Sequence, residues 1–369
     1  MRYRIAHRTE YQYTGPVHES FNEIRLRPCS DEQQLCLNFG LEIDPPATVI
    51  VFTDYYGNTV HDFSVPYLHS RLTIEATSDV VTFAAEDEPL AGPRDGQVDH
   101  SPTIASLAVN VGFADDFVEF LAPSTYVALE DESAAISRRI LEQDGDISAY
   151  GFLCACASTV RAMLQYQVGA TNVHSKVAEI LAGGSGVCQD FSHVLISLCR
   201  HAGLPARYVS GYLGNVAESE ASHAWVEAYV PPYGWVGFDA TSGGPCTGRH
   251  VKISVGRDYA DVTVVRGTYR GGVANNLAVT VRSETVGSGQ NFAMRPPERR
   301  SELVQYQAIG AMRQLQRLGA MTQSMDNVSP AIGALLDIPA TMRLPGADEE
   351  IPRQQPQQQQ QYHCVPEQA

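Results

Sequence analysis

Apolar and polar residues alternate from the start of the chain, with Tyr3, Ile5 and His7 on one parity and Arg4, Ala6 and Arg8 on the other. Period-two patterning predicts a strand with one buried face. A turn is expected at Thr14-Gly15-Pro16, and a further strand over Asn22-Glu23-Ile24-Arg25-Leu26-Arg27. Val49 to Phe52 and Thr59 to Val65 flank Tyr55-Tyr56-Gly57-Asn58, which reads as a β-hairpin. Ser70 to Ala76 alternates again. Residues 1–84 are therefore expected to form a small β-sandwich-like domain.

The texture then changes. Residues 85–149 read as an acidic helical connector broken by Pro89, Pro93, Pro102 and Pro123. Helices are predicted over Asp115 to Leu121 and Glu132 to Gln143, where Ser133, Ile136, Ile140 and Gln143 step by three and four. Residues 150–290 read as the core and a closing strand. Helices are predicted over Tyr150 to Met163 and Val187 to His201. Strands are predicted over Arg207 to Leu213, His223 to Val230, Gly234 to Ala240 and Val273 to Val281. Residues 291–345 read as a helical extension. Over Arg299 to Leu318, Val304, Ala308, Ala311, Leu315 and Leu318 make a narrow stripe that suits a protein partner. Residues 346–369, with seven glutamines between Gln354 and Gln361, are expected to be disordered.

Composition narrows the function classes. The chain has 369 residues, 44% of them hydrophobic, enough for a sizeable core. A net charge of −16 argues against nucleic-acid and anionic-membrane partners, which favour basic patches. Twelve acids lie between Asp79 and Glu132 against one Arg, Arg94, and read as a solvated face. Lysine occurs only at Lys176 and Lys252. No run of about 18 apolar residues marks a membrane span. The first residues lack the apolar stretch of a signal peptide, so a cytoplasmic location with reduced cysteines is expected.

Candidate chemistry centres on Gly183-Gly184-Ser185-Gly186-Val187-Cys188-Gln189-Asp190-Phe191. A glycine-rich turn delivers a cysteine to the first turn of a helix whose apolar face is Phe191, Val194, Leu195 and Leu198. The positive end of a helix favours thiolate over thiol, and backbone N–H groups there can hold a developing oxyanion. A thiolate nucleophile needs a base. Ser222-His223-Ala224-Trp225-Val226-Glu227 begins one strand, and Trp235-Val236-Gly237-Phe238-Asp239 forms the next, across Pro231-Pro232-Tyr233-Gly234. Both side chains share a face only if the loop holds an odd number of residues. Pairing Val230 with Gly234 satisfies this and makes His223 and Asp239 diagonal neighbours, about 7 Å apart at the backbone. Cys188, His223 and Asp239 then divide as nucleophile, base and orienter.

These blocks resemble the bacterial transglutaminase-like superfamily, a group of transglutaminase-like cysteine proteases. The resemblance lies in Gly-Ser-Gly-Val-Cys-Gln-Asp-Phe at 184–191, Gly-Leu-Pro-Ala-Arg-Tyr-Val-Ser-Gly-Tyr at 203–212, His-Ala-Trp-Val-Glu at 223–227 and Gly-Trp-Val-Gly-Phe-Asp-Ala-Thr at 234–241. Tyr-Arg-Ile-Ala-His-Arg-Thr-Glu-Tyr at 3–11 resembles that family's N-terminal β domain, and Gly-Arg-Asp-Tyr-Ala-Asp-Val at 256–262 the stretch closing its core. The resemblance covers about residues 1–285. It implies an α+β, papain-like core and thiol acyl chemistry without a cofactor, on Cys188, His223 and Asp239.

Around that triad, the oxyanion donors are expected from the Cys188 N–H and from the preceding loop, where Tyr166 and Thr171 are available. Trp225 and Trp235 are candidates to wall the substrate cleft. Arg207 is expected to pair internally with an acid, and Cys154, Cys156 and Cys199 to be buried as small apolar residues. His193 should point away from Cys188, His174 and His201 should lie on the surface, and 256–262 should be structural. Cys154-Ala155-Cys156 is not a Cys-x-x-Cys pair, and no EF-hand loop occurs, so no metal is expected. The expected activity is cleavage of a peptide or amide through a thioester. The alternatives are acyl transfer to an amine, with the glutamine-rich tail as one acyl donor, and a non-catalytic binding module.

Overall fold

The computed structural model describes residues 1–94, 96–219, 221–272, 274–287 and 357–358. The helix expected over 299–318 and its partner surface lie outside them. The first sheet is organised by one long strand, β1 (Arg2–Ile24), with β2 (Gln34–Asp44), β3 (Val49–Thr53), β4 (Thr59–Val65) and β5 (His69–Thr82) following it. Alternation holds along β1: Tyr3, Ile5, His7, Thr9, Tyr11 and Tyr13 are all buried. No turn interrupts it at Thr14-Gly15-Pro16. Val17 pairs with strands on both sides, and these hold the chain extended while the register shifts past Gln12. A second irregularity falls between His18 and Phe21, where Glu19 has φ +49°.

The connector contains α1 (Ile104–Ala108), α2 (Val111–Asp116), α3 (Val118–Leu121) and α4 (Asp131–Gln143). Helix α4 is not a linker. Its buried stripe, Ser133, Ile136, Ser137 and Ile140, packs on the helix that carries Cys188. Then come α5 (Ala149–Met163), β6 (Gln165–Tyr166), α6 (Val177–Gly183), β7 (Ser185–Gly186) and α7 (Cys188–His201). A second, antiparallel sheet follows, built from β8 (Ala206–Leu213), β9 (His223–Val230), β10 (Gly234–Asp239), β11 (Gly244–Pro245) and β12 (His250–Gly256) in the order β11-β10-β9-β8-β12. Helix α7 lies between this sheet and helices α4, α5 and α6, and every residue from Cys188 to Arg200 is buried. The architecture is α+β, a helix-and-sheet core joined to a β domain.

The closing segment departs from the expected boundary. Strands β13 (Val265–Gly271) and β14 (Ala274–Thr285) leave the core and pair with β1, with Ile24 opposite Val265 and Tyr3 opposite Thr285. The β domain is thus completed by residues that follow the core. Within the tail, Gln357–Gln358 pair with Arg266 and Gly267 as β15. No helix among the described residues is long and apolar enough to cross a membrane.

A buried ionic cluster joins the two parts. Lys252 of β12 contacts Asp31 at 2.8 Å and Glu227 at 2.5 Å. Gln34 clasps the Lys252 backbone from both sides, donating to its carbonyl and accepting from its N–H, each at 2.7 Å. Glu227 also accepts from Arg207 at 2.6 and 2.8 Å, the internal pair expected for that arginine. Burial pushes the Glu227 carboxyl up, but Lys252 and Arg207 hold it below its usual value. Removing one member of such a cluster leaves a charge without its partner in low dielectric. Lys252→Met should therefore lower unfolding free energy by about 3 kcal/mol in urea titrations. A double variant with Glu227→Gln should recover part of that loss. A single variant as stable as the wild type would contradict this account.

Candidate active site

The chain approaches α7 through a narrow passage. Gly184 caps α6 at φ +64°, a conformation that suits glycine. A Cβ on Gly186 would lie 2.6 Å from an Asp190 oxygen, so only glycine fits beneath that carboxylate. Asp190, at the third position of α7, accepts from the Val187 N–H at 2.7 Å and from the Thr171 hydroxyl at 2.6 Å. These bonds pin the entry to the helix and fix where Cys188 begins it. Burial nevertheless raises the Asp190 carboxyl to about 6. The Thr171 hydroxyl is thus committed to Asp190. Tyr166 lies alongside the same passage. Its strand β6 pairs in parallel with β7, placing Tyr166 opposite Gly186, and its ring meets Phe191 at 6.1 Å. Cys188 itself is buried, close enough to Tyr208 and Tyr259 for its charge to raise both phenols, after burial.

Strand β9 packs against α7 and begins at His223. Its hairpin with β10 has the expected register, Val230 opposite Gly234 and Val226 opposite Phe238. His223 Nε2 stands 2.8 Å from Asp239 Oδ2. The other carboxylate oxygen, Oδ1, accepts from the Thr241 N–H at 2.8 Å and the Thr241 hydroxyl at 2.6 Å. Burial would push Asp239 up, but His223 and His250 hold it well below the usual carboxylate range. Asp239 is therefore an ionised acceptor for the imidazole.

His250 was not singled out by the sequence. It stands at the start of β12, with Nε2 3.4 Å from Asp239 Oδ2. His223, Asp239 and His250 together make a buried two-histidine, one-carboxylate set with donor atoms within 4.8 Å of one another. That donor set suits a transition metal. However, the Thr247 N–H donates to His250 Nδ1 at 3.0 Å. A neutral imidazole that accepts on Nδ1 carries its proton on Nε2 and has no lone pair there for a metal. The three residues are better described as a hydrogen-bonded cluster.

The two tryptophans differ in burial. Trp225 is 1% exposed and packs with Val209, Cys246 and Val255. Its ring lies edge-on to His250 at 5.2 Å and 6.2 Å from His223, so it backs the histidines from inside. Trp235 lies under Arg207, 4.0 Å from ring centroid to guanidinium carbon, among Phe117, Phe120 and Tyr229. Trp225 is a packing residue, and Trp235 is half-buried.

Other expectations resolve locally. His193 is buried, stacks on Tyr126 and accepts from the Tyr259 N–H at 3.3 Å. Asp258 accepts from the Tyr126 N–H at 2.7 Å, and Arg257 pairs with Asp261, so 256–262 is structural. His174 is exposed. His201 lies at the edge of the surface. It is half-buried and hydrogen-bonded to Ser133 at 3.0 Å, which joins α4 to α7. Cys156 and Cys199 are fully buried, whereas Cys154 is only partly so because it lies toward the rim of α5.

Comparison with known proteins shows the family. Residues 3–81 match the bacterial transglutaminase-like N-terminal region, and residues 135–240 match the transglutaminase-like superfamily core. A protein of Mycobacterium leprae is 34% identical over 288 residues, covering 76% of this chain and 97% of that one. A Cytophaga hutchinsonii crystal structure, described as a putative cysteine protease, superposes with a TM-score of 0.57 at 25% identity, covering 77% of this chain and 90% of that one. A protein-glutamine gamma-glutamyltransferase of Pseudomonas aeruginosa is 35% identical over 66 residues, 15% of this chain and 10% of that one. Fold and matched segments define a transglutaminase-like core behind a dedicated β domain. The chain belongs to the bacterial transglutaminase-like family.

Buried titratable groups in both the β domain and the core set a pH dependence. Burial lowers His7, His61 and His193 to about 4. An unfolded histidine titrates near 6.5, so each contributes stability that is complete above about 6.5 and lost as pH falls through the folded value. Asp190, raised to about 6, works in the opposite direction over the same window. Three groups outweigh one. Unfolding free energy should drop on the order of 3 kcal/mol between pH 7 and pH 5, read from urea midpoints. A midpoint that holds or rises over that range would contradict the assignment.

Proposed function

We propose that the protein is a thiol acyl-transfer enzyme that cleaves a peptide or amide bond through a thioester on Cys188. The observation that carries this reading is the 2.8 Å contact between His223 and an ionised Asp239, on a strand packed against the helix that Cys188 begins. With Nε2 engaged by Asp239, Nδ1 is the nitrogen that exchanges a proton with the Cys188 thiol. The helix N-terminus favours the thiolate that results.

In the first half-reaction the thiolate attacks the carbonyl carbon and the carbonyl electrons move to oxygen. The Cys188 N–H is one donor to that oxyanion, and the segment around Tyr166 supplies the second. Collapse expels the amine, which takes its proton from imidazolium His223. In the second half-reaction His223 removes a proton from water, the resulting hydroxide attacks the thioester, and the acid and the thiol are released. Asp239 stabilises the imidazolium in both halves without taking its proton.

A second reading replaces water with an amine. The Pseudomonas aeruginosa relative, named as a glutamyltransferase, favours it, and Gln354 to Gln361 would be acyl donors on the chain itself.

Iodoacetamide labelling of Cys188, followed by mass spectrometry from pH 4 to 10, tests the common core of both readings. Wild-type Cys188 should alkylate well below the free-thiol pKa of about 8.5, and His223→Ala should lose that low-pH reactivity. A thiol that titrates normally in both proteins would sink the enzyme reading and leave a binding module. With a labelled amine present, hydrolysis predicts unlabelled product and an unlabelled tail. Incorporated label would shift the assignment to amine transfer.

A further inference from the structure

Among the buried groups that the reaction above does not use, His250 has the most constrained geometry. It reaches Asp239 from a different strand than His223 does. The turn preceding β12 closes twice on it: the His250 N–H donates to the Thr247 carbonyl at 2.9 Å, and the Thr247 N–H donates to His250 Nδ1 at 3.0 Å. A backbone N–H can only donate, so the ring is fixed in the tautomer that carries its proton on Nε2. That proton faces Asp239 Oδ2.

Asp239 then has four donors. Two come from Thr241 onto Oδ1, one from His223 and one from His250 onto Oδ2. An ionised carboxylate offers about four lone-pair sites. All are used, so the carboxylate cannot swing without breaking a bond in a buried site. We propose that His250 is a positioning residue, locked by the Thr247 N–H to donate to Asp239 and so fix the carboxylate against which His223 is aligned. This rests on the Cys188–His223–Asp239 reading. The other titratable group at the cluster, Cys246, is a thiol pushed well up by burial and then by Asp239, and stays neutral. Glu227 and Lys252 lie beyond it and neutralise each other.

Without the His250 donor, the carboxylate rotates more freely and no longer holds the His223 ring in one orientation. A misaligned imidazolium holds the Cys188 thiolate less well, and this loss of alignment outweighs the fuller carboxylate charge felt by His223. Two substitutions separate this role from mere support of the turn. In His250→Gln the side-chain amide nitrogen stands near the position of Nε2 and still donates to Asp239, while the Thr247 contact is lost. In His250→Asn the side-chain oxygen stands near Nδ1 and still accepts from Thr247, while the donor to Asp239 is lost.

The measurement is the pH profile of Cys188 alkylation, together with imidazole NMR of the His223 Nε2–H signal in the same full-length proteins. The Asn variant should shift the low-pH limb upward by about one unit, roughly tenfold in rate at a fixed pH on that limb, and should shift the His223 signal. The Gln variant should track the wild type in both. If the Asn variant behaves as wild type, or both variants shift alike, His250 only supports the turn and the proposal fails. If wild-type Cys188 titrates as an ordinary thiol while the NMR pattern still separates the two variants, the enzyme reading fails and the positioning role stands.

Discussion

Helix α7 has no solvent-facing side along Cys188 to Arg200, yet it carries Gln189, Asp190, Ser192, His193, Ser197 and Arg200. Each polar side chain taken from water needs a partner inside, because an orphaned one costs about 1 to 3 kcal/mol. Much of the surrounding chain path is fixed by that demand. Arg200, whose guanidinium is lowered to about 10 by burial, donates to the carbonyls of Ala122, Ala206 and Arg257 and so draws three segments onto one helix end. Ser197 meets Ser133 of α4 at 2.9 Å, and His193 meets the 256–262 loop. At the other end Gln189 holds the Val173 carbonyl and Asp190 holds Thr171, which brings the 171–173 loop over the start of the helix.

The Cys188 end of α7 inherits this rigidity. Catalytic groups need placement within a fraction of an ångström, and that placement comes from neighbours that cannot relax. Cys188 is fixed by the passage through Gly184 and Gly186 on one side and by a fully packed helix on the other. His223 and Asp239 are fixed by a hairpin whose register leaves no choice of face. Behind them Trp225 fills the space that Gly211 leaves open, since a Cβ at 211 would lie 2.2 Å from its ring.

What the sequence revealed follows from the range of the interactions. Alternation along β1, the helices α5 and α7, and the β9–β10 register are local patterns, and all are found. The pairing of His223 with Asp239 was legible because parity across a short loop decides which side chains share a face. Contacts across long separations were not. Nothing near Val265 to Thr285 announces that it pairs with Arg2 to Ile24, and nothing near Thr14-Gly15-Pro16 shows that partners on both sides keep that stretch extended. The stepping stripe of α4 was legible, but nothing local to it shows that it packs on α7 as part of the core. His250 stands alone in a strand without a motif. The available signal was its place just after Thr247-Gly248-Arg249, a turn that could return its own backbone to the ring. The burial of Trp225 was signalled by Gly211, which β8 brings opposite His223.

The return of β13 and β14 to β1 also has a consequence for synthesis on the ribosome. Strand β1 finds β4 and β5 within the next 60 or so residues, but its other edge waits for partners that follow the whole core. During that interval an exposed strand edge, Tyr3 to Ile24, is open to mispairing with other nascent chains. The core between them can pack in the meantime, since its sheet and helices are contiguous in sequence. Seating of β14 against Tyr3 covers that edge. The β domain is thus begun before the core and completed after it.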